Sequence, residues 1–263
     1  MFCLYVGIQV SSSPCNVPPS SVDSLRSLPS QQAILFLAIS RDTEEHMNKY
    51  VDIFASSIGR KLLMALTGLF LCSFLVVHLL GNILILKGDG GHAFNEYSTF
   101  MSTNPLIRTI EIGLFAGFAI HIVVGVRLWL ANRRVRTMKY SVNASAETSP
   151  SASRITFVTG SIVFIFLVIH LRTFFVPSRF GSEPLSMYEL VRNAFASPIY
   201  SIFYVIAFVF LAYHLRHGFQ SAFQTFGLRG KKYEPLIEAG GFIFWFVIPL
   251  GFSIIPLFFL FGL

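Results

Sequence analysis

A chain of 263 residues that is 54% hydrophobic and only 13% charged, with a mean hydropathy of +0.65, is too apolar for an ordinary soluble domain and reads as an integral membrane protein. Its net charge of +7 is unevenly spread, so its placement carries more meaning than its size. Cys3, Cys15 and Cys72 form neither a C-x-x-C pair nor a C-x-x-C-H, which leaves zinc ribbons, disulfide frameworks and covalent c-type haem without support.

In chain order, residues 1–56 are expected to be a poorly structured N-terminal leader. Ser11 to Ser30 is rich in Ser and Pro, Arg41 to Lys49 mixes charges, and the apolar piece Ala33 to Ile39 is too short to span a bilayer. Met47 would open a sensible short lead into the first helix, so the true start could lie there. Residues 57–263 are expected to form one all-α membrane domain of five transmembrane helices, the first four making a bundle. From Leu62 to Leu86 there is no Asp, Glu, Lys or Arg, which places the first span at about 60–86. Asp89-Gly90-Gly91 and Asn104-Pro105 read as turns, and the second span follows at about 105–132. A basic and Ser/Ala-rich loop leads to the third span, about 155–176, which Pro177 is expected to stop. After a polar loop with a short helix at Ser186 to Asn193, Pro198 suits the first turn of the fourth span, 198–226. The fifth, 240–263, has no charged residue and no histidine.

Basic residues set the expected orientation. Lys49, Arg60 and Lys61, then Arg133, Arg134, Arg136, Lys139 and Arg154, then Arg229, Lys231 and Lys232 all fall on one side. They outnumber Lys87, Arg108, Arg172, Arg179 and Arg192 on the other, so the N-terminus is expected to be cytoplasmic.

Each of the first four spans carries an intramembrane histidine: His78, His121, His170 and His214. An imidazole is costly there unless something binds it. At 1.5 Å of rise per residue, His78 and His170 lie roughly 27 and 24 Å from the inner edge and His121 roughly 18 Å, with His214 about as deep as His121. The four sort into an outer pair, His78 with His170, and an inner pair, His121 with His214. Each pair comes from alternate helices, which can face each other diagonally in a bundle and clamp a flat macrocycle. His78 to His121 and His170 to His214 are nearly equal separations, as in a duplicated architecture. Gly125 and Gly218 each stand one turn after an inner histidine, and Gly81 follows His78; all three would clear space for a porphyrin edge.

Other readings of these residues stand beside haem. A single histidine in a membrane helix also serves as an interhelical hydrogen-bonding contact. A proton relay would call for intramembrane carboxylates, and only Glu111 comes near, three residues from Arg108. A zinc site would gather its ligands in one place. His217, His92 and His46 are weaker candidates, closer to a surface. Arg127, Arg172 and Arg216 are candidate partners for haem propionates, or snorkel to headgroups.

A set of short motifs runs in order through this domain: Gly59-Arg60-Lys61 with Thr67-Gly68, Val77-His78-Leu79 with Asn82, His92-Ala93-Phe94-Asn95, His121 to Val126, Ile169-His170, and Tyr213-His214 with Gly218 to Ala222. Their order and spacing resemble the cytochrome b membrane subunit of bacterial succinate dehydrogenase and fumarate reductase, in its single-subunit, five-helix, di-haem class. The resemblance implies two haem b groups with axial ligands at the four histidines, and menaquinone as electron acceptor. It also implies partnership with an FAD-bearing flavoprotein subunit and an iron–sulfur subunit at the bacterial cytoplasmic membrane. Such a subunit passes electrons and anchors the complex but does not itself oxidise succinate. Some fumarate reductases of this class carry a glutamate two residues before the fourth-span ligand. Ala212 stands there, which favours succinate oxidation. The cytochrome b subunit of a fumarate reductase, or of another quinone-linked dehydrogenase such as a hydrogenase, is the alternative.

Overall fold

The computed structural model describes residues 56–135, 151–181 and 186–262, all within the unit Phe54–Leu263. The leader expected over 1–56 and most of the basic loop after the second span lie outside the described residues. What is described is helical throughout, with no strand. Five helices are long and apolar enough to cross a membrane: Ser57–Lys87, Pro105–Arg133, Thr156–Phe180, Pro198–Thr225 and Glu234–Phe261.

The first helix, α1 (Ser57–Ile83), is started by Ser56, whose hydroxyl accepts from the Gly59 amide at 2.9 Å. A 3-10 turn, Leu84–Lys87, tightens its end and closes on Gly88 at φ 70°, a conformation that favours glycine. The connection to the second span, read from sequence as turns alone, holds a helix of its own, α2 (His92–Thr103). Asp89 makes this helix possible: its carboxylate accepts from the Gly91 and Ala93 amides, both at 3.0 Å, where Gly91 has no side chain to cap with. The second span is α3 (Pro105–Val135).

The third span does not stop at Pro177. It runs through α4 (Ser151–His170), a π-turn at Leu171–Phe175, and α5 (Val176–Phe180). In a regular helix the proline ring would press on the carbonyl four residues back. Here the chain has already widened, the Val176 amide reaching back five residues to the Leu171 carbonyl, and the helix continues. Between the third and fourth spans, α6 (Met187–Phe195) opens with a capping box of Ser186 and Glu189. The fourth span is α7 (Pro198–Thr225).

The fifth starts earlier than charge alone indicated, as α8 (Glu234–Phe242), with Pro235 in its first turn. It passes through a second π-turn, Ile243–Val247, into α9 (Ile248–Phe261). The same device recurs: the Ile248 amide bonds Ile243, and Pro249 follows two residues after the turn.

Packing defines a ring. Helix α7 lies against α1, α4 and α9; α1 lies against α3 and α9; α3 and α4 barely touch. The first span therefore faces the third across the ring, and the second faces the fourth. Leu66, Val77, Ile112, Val123, Ile165 and Ile199 point outward and are exposed, as lipid-facing surfaces require. The buried core instead gathers Leu79, Tyr204, Phe208, Leu211, Phe252 and Ile255 around α1, α7 and α9.

Candidate functional site

Across the ring the histidines meet in two layers. His78 of α1 faces His170, the last residue of α4, with ring centroids 5.8 Å apart and planes at 89°. His121 of α3 faces His214 of α7 at 6.3 Å and 79°. Metal–nitrogen bonds of about 2 Å on each side, plus about 1 Å from nitrogen to ring centre, put two imidazoles on opposite sides of one metal about 6 Å apart. Both pairs match that spacing, and neither brings a third ligand with it.

The surroundings of the two layers differ. Phe74 stacks on His78 at 5.1 Å and 19°, while Phe252 of α9 approaches it at 5.6 Å. Phe166 and Phe174 flank His170 at 5.7 and 5.3 Å. This layer is thus walled by aromatic rings, one of them from the fifth span, which carries no histidine. The His121–His214 layer is bordered by two glycines. A Cβ on Gly68 would meet His121 Cε1 at 3.4 Å, and one on Gly160 would meet His214 Cε1 at 3.2 Å.

Hydrogen bonds to the ring nitrogens decide which nitrogen is left for a metal. Thr67 Oγ1 donates to the Leu63 carbonyl at 2.8 Å, which uses its hydrogen. Its 3.2 Å contact with His121 Nδ1 is then one in which the imidazole N–H donates, leaving Nε2 with a free lone pair. The Asn82 side-chain amide donates to the His78 carbonyl at 2.8 Å, and its 3.4 Å contact with His78 Nδ1 does not fix the tautomer of that ring. His214 Nδ1 has no well-formed hydrogen bond; the Thr156 backbone is its electrostatic neighbour.

Of the glycines read from sequence as porphyrin clearances, Gly81 serves differently. Gly81 makes way for the Tyr97 ring of α2, which lies 2.2 Å from where its Cβ would be. Gly125 faces Met64, and nothing lies within 4 Å of a Cβ on Gly218. The glycines that border histidines are Gly68, read only as part of a motif, and Gly160, which was missed. The signal was present, since Thr67-Gly68 and Thr159-Gly160 each stand ten residues before His78 and His170.

Arg127, Arg172 and Arg216 are all exposed, and Arg216 lies over the Trp245 ring at 5.3 Å. Arg60 was read for orientation and as part of the Gly59-Arg60-Lys61 motif, not as a propionate partner. It sits two turns before Thr67-Gly68, and its Nε is buried without a hydrogen-bond partner, a donor suited to a carboxylate. Arg108 pairs with Glu111, so that carboxylate is occupied. His217 is half-buried and His92 exposed at the start of α2; His46 lies outside the described residues.

Comparison with known proteins gives two matches. The succinate dehydrogenase/fumarate reductase transmembrane subunit family matches residues 132–250, which include the third and fourth spans. The chain is also similar to the succinate dehydrogenase cytochrome b558 subunit of Bacillus subtilis (strain 168), with 26% identity over 157 residues, covering 59% of this chain and 72% of that protein. No solved structure matches.

Proposed function

We propose, for a chain that is a relative of the succinate dehydrogenase/fumarate reductase transmembrane subunits, that it is the membrane anchor and di-haem electron-transfer subunit of a succinate:quinone oxidoreductase. The observation that carries this reading is the pair of diagonal histidine couples, each at the separation of two trans ligands, inside an apolar bundle. His78 and His170 would hold one haem b, and His121 and His214 the other. Haem b held between two imidazoles would supply one-electron transfer. The protein's own part is to fix the rings across the ring of helices, wall them with Phe74, Phe166, Phe174 and Phe252, and keep bulk water away. Arg60, with Arg127, Arg172 and Arg216, supplies cations at the bundle ends for propionates.

In this reading the N-terminus is cytoplasmic. A flavoprotein and an iron–sulfur subunit dock on that face of the bacterial inner membrane. With haem bound, the His121–His214 layer would stand on the side where electrons arrive and the His78–His170 layer on the side of menaquinone. Ala212, where some fumarate reductases carry glutamate, favours succinate oxidation over its reverse.

The test is direct. Protein purified from membranes gives a pyridine haemochrome near two haems per chain and co-purifies with a flavoprotein that oxidises succinate. His121→Ala and His214→Ala each remove the same haem, and His78→Ala and His170→Ala the other. A folded, colourless protein rejects the haem assignment. Co-purification with a hydrogenase or formate dehydrogenase instead keeps the haems but reassigns the complex.

A further inference from the structure

His170 begins a chain of hydrogen bonds that runs through two tyrosines to a threonine. Its Nδ1 lies 3.2 Å from the Tyr204 hydroxyl, which lies 3.0 Å from the Tyr200 hydroxyl, which donates to Thr173 Oγ1 at 2.8 Å. The direction of the whole chain follows from its last link. Tyr200 spends its only hydrogen on Thr173, so the hydrogen between the two tyrosines comes from Tyr204. Tyr204 then has none left to give, so it accepts from His170 Nδ1–H. The imidazole is thereby held as the Nδ1–H tautomer, with Nε2 turned free.

The backbone builds this chain from two local features. Tyr200 and Tyr204 are one turn apart on α7, and Thr173 sits in the π-turn that begins just after His170. Tyr204 is 2% exposed and packs edge-on against Phe166, Phe174 and Phe195, which fixes its ring. A π-turn next to a site residue is a common way to re-aim a side chain.

We propose that Tyr204, backed by Tyr200 and Thr173, is a positioning residue for His170, setting the tautomer and basicity of one axial ligand of the His78–His170 haem. This rests on reading His78 and His170 as ligands. An N–H that donates to a fixed acceptor makes the other nitrogen a stronger ligand and stabilises the ferric state.

In the purified complex, Tyr204→Phe keeps the ring and two haems per chain. It raises the potential of one haem by about tenfold in ferrous preference, about 60 mV. The low-spin ferric EPR signal of that haem shifts with it. Tyr200→Phe moves the same haem in the same direction by less, and the His121–His214 haem is unchanged in both variants. Two haems with both potentials and both EPR signals unmoved in Tyr204→Phe overturn the proposal. Retention of both haems in His78→Ala and His170→Ala overturns instead the ligand reading beneath it.

Discussion

Thr67 gives His121 a hydroxyl partner, whereas the neighbour of His214 is the Thr156 backbone, although the two histidines stand at matching places in their helices. The hydroxyl of Thr67 is committed to the Leu63 carbonyl and so accepts from His121. Thr159, its counterpart, bonds the Thr156 carbonyl and is not among the hydrogen-bond partners of His214. Thr67→Val therefore removes the acceptor from one layer only, at a cost of about 1 kcal/mol in stability. Thr67→Ser restores it. In the di-haem reading proposed above, the measurement is the potential of the haem lost in His121→Ala, expected to rise in the valine variant and return in the serine one. Space at this layer is as tight as its hydrogen bonding. Gly160→Val puts branched methyls where a Cβ alone already meets His214 at 3.2 Å, so it displaces the ring and costs one haem by difference spectrum. Gly113→Ala, with nothing within 4 Å, is the control and is expected to leave the proposed haem content unchanged.

At the scale of elements, proline position was a misleading guide to where spans end. Pro177 and Pro249 each follow a π-turn by two residues and sit in the first turn of the next helix, so each span carries on past a residue that ordinarily ends one. Hydropathy cannot show this, because the π-turn is a backbone adjustment made under packing. The short helices between spans depend on capping carboxylates. Asp89 is held below its usual range by the Ala93 amide first, and Glu189 by the Ser186 amide first, despite full exposure to solvent. A depressed folded value means stability that is present above the unfolded values of 3.8 and 4.5 and is lost as pH falls through the lower folded ones. Hydrogen exchange in detergent is expected to show the amides of α2 and α6 losing protection as pH drops below about 4, after correction for the intrinsic exchange rate, while the spans stay protected.

For the whole molecule, α2 and α6 close one end of the bundle over the His78–His170 layer. The Tyr188 amide donates to Asn95 Oδ1 at 2.9 Å, joining the two connections across a long sequence separation. Gly91, at φ 86°, lies so close to the Tyr188 ring that a Cβ would stand 2.2 Å from it. Phe195 packs from α6 onto Phe174, Tyr204 and Phe259, which ties this cap to the third, fourth and fifth spans. Gly91→Ala is expected to destabilise by at least about 1–2 kcal/mol from backbone strain alone, with the ring clash added. Asn95→Ala loses one part-buried bond, about 1 kcal/mol. Thermal unfolding followed by circular dichroism checks both, and in the di-haem reading the haem proposed at His78–His170 is expected to be released first.

Apolar length and the spacing of four histidines were legible in the residues alone. Membrane spans need only hydropathy, and the depth of a side chain in a straight helix follows from a fixed rise per residue. The fifth span's Phe252, the acceptor Tyr204 and Gly160 were not read, and Thr67-Gly68 was read as a motif without its place beside His121, although the Thr-Gly repeat stood in the sequence. Which faces of five helices meet depends on their rotation and crossing, and on π-turns that shift the register after His170 and Phe242. Those are properties of packing between distant segments, so only the tertiary structure decided them.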